Sequence, residues 1–335
     1  MKPALGDVAV RARGLATHLL SRQAFERLAR ASGSGVLLGQ LQGLGYWPAP
    51  GDDRAARSAA DAVDAAIEHE SRRRLALLSR WLAERRSLFA GVFEEAERRA
   101  IRIRLRELAA GDTPARESPI EEPGAGLSRR AREEIGRATD VASLVAALGR
   151  IQSPYAIPLR RALEAEGEDL LSLEIALDRA FARRAVCSAR RLGGCLLAWV
   201  VDGIDLHNAW GAVVGEAEGF VEGGSRLTRE RHARIAAVAD ERVRRRQLSE
   251  VFARGPLAAI FDDPITPLAS LEARARRVRI AAARRAARRD PIGAAPVLEV
   301  VMRMRVEWAE LRRINWGIAQ GVPADVIVGQ LMVMA

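Results

Sequence analysis

Asp202, Asp205 and His207 fall within one short stretch, and carboxylates beside an imidazole are the raw material of a metal site. On a helix, Asp205 and His207 are two positions apart and project from different faces, so they do not converge on one ion. His18, His69 and His232 stand singly among helical residues, with no His-Glu-x-x-His pattern, and no metal is expected. Gly33-Ser34-Gly35-Val36-Leu37-Leu38-Gly39 has the glycines of a phosphate loop, but neither the Rossmann spacing nor the lysine of a P-loop. It reads as a turn between short helices, and no cofactor is expected. No serine sits in Gly-x-Ser-x-Gly, and neither Cys187 nor Cys195 has a catalytic neighbour in sequence. The chain is not expected to be an enzyme.

What recurs is a carboxylate near the end of a long helix. The tails are Glu97-Arg98-Arg99-Ala100-Ile101-Arg102, then Asp205-Leu206-His207-Asn208, then Glu307-Trp308-Ala309-Glu310-Leu311-Arg312. Each puts an acid three residues before a second position on the same helix face. General acid–base chemistry is one use of such residues. Near-regular repetition argues instead for helix packing and capping, or for a repeated partner-contact surface. Glu97, Asp205, Asn208, Glu307 and Glu310 are the candidates on either reading.

The elements that carry these acids are marked by glycine. Gly111, Gly215 and Gly321 each close a long amphipathic stretch and lie 104 (215 − 111) and 106 (321 − 215) residues apart. After the first two, the chain passes through a loop into Leu127-Ser128-Arg129 and Leu227-Thr228-Arg229, where Ser or Thr can cap the next helix. A repeat of this length fits the usual domain size, and predicts three helical units over residues 1–111, 112–215 and 216–335. A hydrophobic content of 49% with only 4% aromatics, and abundant alanine, favours an all-α fold of closely spaced helices. Ala55 to Gly111 reads as two long helices after the Gly43–Gly51 loop. Pro114, Pro119 and Pro123 mark a boundary. Leu170, Leu173, Leu177 and Phe181 step down one buried stripe, and Gly193-Gly194 should break the helix that follows. The third unit has a turn at Pro264/Pro267, a long helix from about Leu268, and a break at Asp290-Pro291-Ile292-Gly293.

The formal charge of +10 is carried almost wholly by arginine, Lys2 being the one lysine. Such a balance nominates nucleic acid, anionic lipid or an acidic protein surface as partner. The run from Arg274 through Arg289 raises the nucleic-acid alternative, since phosphate contacts dominate non-specific affinity. Against it, Leu271, Ala275, Val278 and Ala282 form an apolar stripe on the same helix, and no stacking aromatic lies among the arginines. Cys187 and Cys195 are too far apart along a continuous helix for a disulfide, consistent with a reduced, cytoplasmic compartment. The uncharged stretch from Leu192 to Val201 is well short of the roughly 20 residues that span a bilayer, and no apolar signal segment follows Met1.

Taken together, the threefold helical unit, Asp205-Leu206-His207-Asn208, Asp290-Pro291-Ile292-Gly293 and the stretch from Glu307 to Gly321-Val322-Pro323 resemble the C subunit of V/A-type rotary ATPases, the subunit d family of eukaryotic V-ATPases. The resemblance covers nearly the whole chain. It departs at Ala100, where an Asn is expected, and around Gly6-Asp7, where an aromatic is expected. The resemblance implies three helical bundles about a pseudo-threefold axis, forming a funnel. Such a funnel seats the shaft of the central stalk and rests on the membrane proteolipid ring at the cytoplasmic face. The implied role is a non-catalytic, peripheral coupling adaptor that carries torque between ATP turnover and ion passage, with arginines at the rims free to pair with partner carboxylates.

Overall fold

The computed structural model describes residues 4–52, 57–111, 129–255, 257–261 and 268–332. These residues are all-helical, with no strand among them. The helices run α1 (Gly6–Ala16), α2 (Arg22–Leu28), α3 (Ser34–Gly43), α4 (Ala59–Leu82), α5 (Ala90–Phe93), α6 (Glu95–Ala109), α7 (Arg129–Gly136), α8 (Val141–Arg150) and α9 (Ala156–Glu166). They continue as α10 (Leu170–Leu192), α11 (Gly194–Val214), α12 (Arg229–Ala236), α13 (Glu241–Phe252), α14 (Leu268–Arg289), α15 (Ala295–Ala319) and α16 (Ala324–Gln330). Among the described residues, no helix is long and apolar enough to cross a membrane.

The three spaced glycines do what their spacing suggests. Gly111, Gly215 and Gly321 all adopt left-handed φ, at 69°, 84° and 69°, a conformation that costs a residue with a Cβ about 1 kcal/mol or more. Gly215 caps α11 in αL geometry, and its neighbour Glu216 donates its N–H to Gly211 O at 2.8 Å. Side-chain caps fix several starts: Ser21 accepts from Ala24 N, Ser58 from Asp61 N, Asp169 from Ser172 N and Thr228 from Arg231 N. Ser128 and the Pro114–Pro123 segment lie outside the described residues, as do Pro264 and Pro267.

Two sequence expectations need correction. Gly33–Gly39 is not a turn, because Ser34–Gly43 forms α3. Leu37 and Leu41, one turn apart, are fully buried there, and their burial outweighs a glycine penalty of about 1 kcal/mol each. Ala55–Gly111 is not two long helices. After α4 the chain turns at Ala83, with φ 49° and ψ −126°, passes through a 3₁₀ segment over Ala83–Phe89, and re-forms as α5 and α6. The expected break at Gly193 is present, separating α10 from α11 with φ 67° and ψ −155°.

The chain divides into two compact units, one of Glu84–Arg279 and the other of Ala4–Ala83 with Ile280–Ala335. In the second, α15 packs on α1 and α4, and α3 on α4. In the first, α10 packs on α5, α6, α9 and α11, and α11 on α12 and α13.

Three apolar cores share one recipe. Each joins one of the helices α6, α11 and α15 to a set of short helices and to the head of a long helix, α10, α14 or α4. Ile101 and Leu105 of α6 meet Leu144 and Leu148 of α8, Tyr155, and Leu173 and Leu177 of α10. Leu206 and Val213 of α11 meet Ile235 of α12, Leu248 and Phe252 of α13, and Ala275 of α14. Trp308, Leu311 and Ile314 of α15 meet Phe25, Leu37, Leu41 and Tyr46 near the start of the chain, and Val63 and Ile67 of α4. The last tail thus closes on the first short helices, so the two ends of the chain share a core.

Candidate functional site

The tail acids lie in or beside these cores. Glu307 is buried on α15, where its Oε1 accepts from the Tyr46 hydroxyl at 2.6 Å and from Arg74 Nη1, and its Oε2 accepts from Leu20 N at 2.5 Å. Arg74 is equally buried and also donates through Nε to Glu70 Oε1 at 2.7 Å. Its guanidinium stands 5.1 Å from the Tyr46 ring centroid. Burial pushes Glu70 up, but hydrogen bonds and charge from Arg73 and Arg74 outweigh it and hold the carboxyl below its ordinary range. The Tyr46 hydroxyl is raised far above its usual range by burial and then by Glu307, so it remains a donor. Glu310, one turn on and 0% exposed, accepts from Arg313 Nη1 at 2.6 and 2.7 Å and from Met332 N at 3.1 Å. On the next turn, Asn315 Nδ2 donates to Ala60 O and Asp64 Oδ1, both at 2.9 Å.

Asp205 and Asn208 grip one loop. Asp205 accepts from Ser225 N at 2.9 Å, and from Arg226 N and Leu227 N at 3.2 Å. Asn208 forms a reciprocal pair with Val221, Nδ2 to O and N to Oδ1, each 2.8 Å. Both side chains are buried, and together they tie residues 221–227 to α11 ahead of α12. Such fully donated carboxylates and amides satisfy the rule that buried polar groups need partners.

Glu97 is held more lightly. Its Oε1 accepts from the Ser153 hydroxyl at 2.6 Å. Beside it, Glu94 Oε2 accepts from the Tyr155 hydroxyl at 3.0 Å and from Arg184 Nε at 2.6 Å. Ala100, its counterpart to Asn208 and Glu310, offers no polar group.

The five candidates therefore do not form one cluster; Glu97, Asp205, Asn208 and Glu307 each reach for the segment that carries or borders the short helices of their own core, while Glu310 is held by Arg313 of its own helix and by Met332 N. Sequence reasoning missed their partners Tyr46, Arg74 and Ser153, and the Glu94–Tyr155 pair beside Glu97. A signal for two of them existed, because the chain has only two tyrosines and each follows a short helix of a repeat. Asp202, Asp205 and His207 do not converge: Asp205 faces residues 225–227, while His207 Nε2 lies 3.6 Å from Asp178 Oδ2 beside Arg98 and Arg102.

The arginines of α14 are partly consumed internally. Arg274 donates to Ala259 O at 3.1 Å, Arg279 to Trp199 O at 2.9 Å while stacked 4.3 Å from the Trp199 ring centroid, and Arg284 lies 3.7 Å from Glu299. Arg276, Arg277, Arg285, Arg288 and Arg289 remain exposed.

Comparison with known proteins gives one family: the model described as ATP synthase (C/AC39) subunit matches residues 8–330. No curated protein sequence matches the chain.

Proposed function

The chain belongs to the ATP synthase (C/AC39) subunit family, and from that premise we propose that it is the non-catalytic central-stalk adaptor of a V/A-type rotary ATPase. On this reading it seats the foot of the rotating shaft, rests on the proteolipid ring at the cytoplasmic face of the membrane, and carries torque between them. ATP hydrolysis then drives ion passage, or ion passage drives synthesis. The observation that carries the reading is the match over nearly the whole length of the chain.

The three units proposed over residues 1–111, 112–215 and 216–335, arranged as a funnel, would supply the socket. The like composition of the three cores supports a common unit. Glu307, Glu310, Asp205, Asn208 and Glu97 are assigned an architectural part. By tying short-helix segments to longer helices they stiffen the body that must resist twisting, Glu97 more lightly than the buried Glu307, Glu310, Asp205 and Asn208, because hydrogen-bonded polar groups are directional where apolar contacts are not.

The test is affinity purification of the tagged chain from its own cells, with the bound proteins identified by mass spectrometry. Shaft and proteolipid-ring subunits should be recovered, and the isolated chain should not hydrolyse ATP. Robust ATPase activity of the isolated chain, or recovery of an unrelated set of partners, overturns the assignment.

A further inference from the structure

Ile292 and Val10 are the two most exposed large apolar residues among those described, at 66% and 65%. They are neighbours. Gly6, Val10 and Arg13 share one face of α1, at i, i+4 and i+7. A Cβ on Gly6 would lie 4.0 Å from Ile292 Cβ, and Arg13 Nη2 donates to Ala287 O at 3.3 Å. Val10 falls between these two contacts, beside the α14–α15 turn that presents Ile292. On α14 itself, Arg285, Arg288 and Arg289 stand at i, i+3 and i+4, all exposed, on the side away from the buried Ile280, Ala283 and Ala287. None of these three arginines forms an ion pair with a described residue.

The acids at this end are Asp7 and Asp290. The carboxylate of Asp290 folds back over Gly293, so that a Cβ there would lie 2.5 Å from Asp290 Cγ. Counting Arg13, four arginines face two acids, an excess of two positive charges (4 − 2). A helix C-terminus favours cations through its dipole, which accounts for Arg288 and Arg289 in the last turn of α14. It does not account for Arg285 one turn earlier, nor for two bare aliphatic side chains beside them.

We propose that this end of the chain, Val10 and Ile292 flanked by Arg13, Arg285, Arg288 and Arg289, docks on the surface of an anionic lipid membrane. Guanidinium groups pair with lipid phosphates, and fluid headgroups can meet cations carried on long, flexible stems. The two aliphatic tips enter the boundary between headgroups and acyl chains, as apolar side chains of interfacial elements do. A protein partner suits this surface less well. Protein interfaces centre on aromatic side chains seated in closely packed pockets, and no aromatic stands among these six residues. The choice of a membrane among anionic surfaces rests on the reading of the chain as a peripheral subunit of a membrane complex.

The experiment is sedimentation of the full chain with sucrose-loaded vesicles, made of phosphatidylcholine alone or of phosphatidylcholine mixed with phosphatidylglycerol. Binding should require the anionic lipid and weaken as salt is raised. The triple variant Arg285→Gln, Arg288→Gln, Arg289→Gln should lower the partition coefficient by about tenfold or more, since each basic residue near a charged surface is worth about fivefold. Ile292→Ser should lower it by about threefold or more, a buried methylene being worth about fourfold. All four side chains are exposed, so the urea midpoint of each variant should match that of the native chain. The triple variant Arg160→Gln, Arg161→Gln, Arg190→Gln, with the same charge change on exposed residues of the other compact unit, should bind nearly as the native chain does. Equal losses in the two triple variants overturn the proposal, because net charge alone would then explain binding. Failure to bind anionic vesicles overturns it as well. If the native chain ignores vesicles while the α14 triple variant loses co-purified subunits, the patch belongs to an acidic protein and the membrane assignment falls. Shaft and ring subunits are recovered or not regardless of vesicle binding, so failure of the lipid surface and failure of the stalk reading are told apart.

Discussion

Gly224 and Asp205 are fitted to one another: a Cβ on Gly224 would lie 2.9 Å from Asp205 Cγ and closer still to its Oδ1. The carboxylate cannot swing away, because the N–H groups of Ser225, Arg226 and Leu227 hold it. The glycine is therefore required by proximity to a pinned acid, not by its backbone angles.

Gly224→Ala should accordingly force the loop off Asp205, breaking several hydrogen bonds to a buried carboxylate at a cost of about 2–3 kcal/mol. Urea unfolding followed by circular dichroism measures it. In an Asp205→Ala background the same alanine should add almost nothing, since its obstacle is gone. An undiminished added cost in that background would show that Gly224 matters for another reason.

Sequence legibility divides along physical lines. The helix-closing glycines, the Thr228 cap and the apolar stripe of α10 were readable, because caps and periodicity are local. The tail acids were readable as a recurrent feature, but their partners were not. Tyr46 is 261 residues from Glu307 and Arg74 is 233, and no local pattern announces a contact across that separation. Nor could the pattern show that each core pairs one tail with the next short-helix segment, which depends on long-range packing. Gly33–Gly39 misled for a related reason, as glycine propensity yielded to the burial of Leu37 and Leu41.

The Arg74–Glu307 pair predicts strong coupling. Arg74→Met leaves two buried carboxylates, Glu307 and Glu70, without their shared cation, and should cost about 3–5 kcal/mol. Adding Glu307→Gln removes one of the stranded charges, so the double variant should be more stable than the sum of the single effects by about 1 kcal/mol or more. Additivity within about 0.5 kcal/mol would mean that the two residues do not act as a pair.

His232 predicts a loss of stability on mild acidification. It is 1% exposed, packed against the Phe220 ring at 5.3 Å between centroids, and neither ring nitrogen has a hydrogen bond of good geometry. Burial pushes the imidazole below its usual range, with Arg229 adding to the effect against the Asn208 backbone and Glu216. The folded state then binds its proton less readily than the unfolded one, so stability is full above about pH 6.5 and declines as pH falls from there through the folded value, by at most about 1.4 kcal/mol per pH unit. His207 is also pushed down by burial and acts in the same window. His232→Phe, which keeps the ring volume, should therefore reduce the slope of unfolding free energy between about pH 5 and 6.5, and adding His207→Asn should reduce it further. An unchanged slope in His232→Phe would exclude His232 as a contributor.

Ala83 occupies the turn after α4 that Gly193 occupies after α10, with φ 49° and ψ −126° against 67° and −155°. Both turns receive the closing hydrogen bond of the preceding helix, Ala83 N to Ser79 O and Gly193 N to Ala189 O. This region is nearly closed to a residue with a Cβ, and holding alanine there costs about 1–3 kcal/mol. Glycine relieves that strain but gives back about 0.5–1 kcal/mol through the greater freedom of the unfolded chain. The Ala83 side chain is exposed, so little packing is lost by its removal. Ala83→Gly should therefore stabilise the protein by about 1 kcal/mol, read as a higher urea midpoint with an unchanged slope. The control is Gly193→Ala, which imposes the same strain on α10–α11 and should destabilise by a similar or larger amount. A lower midpoint for Ala83→Gly would show that the methyl group, and not the backbone angle, decides the energetics of this turn.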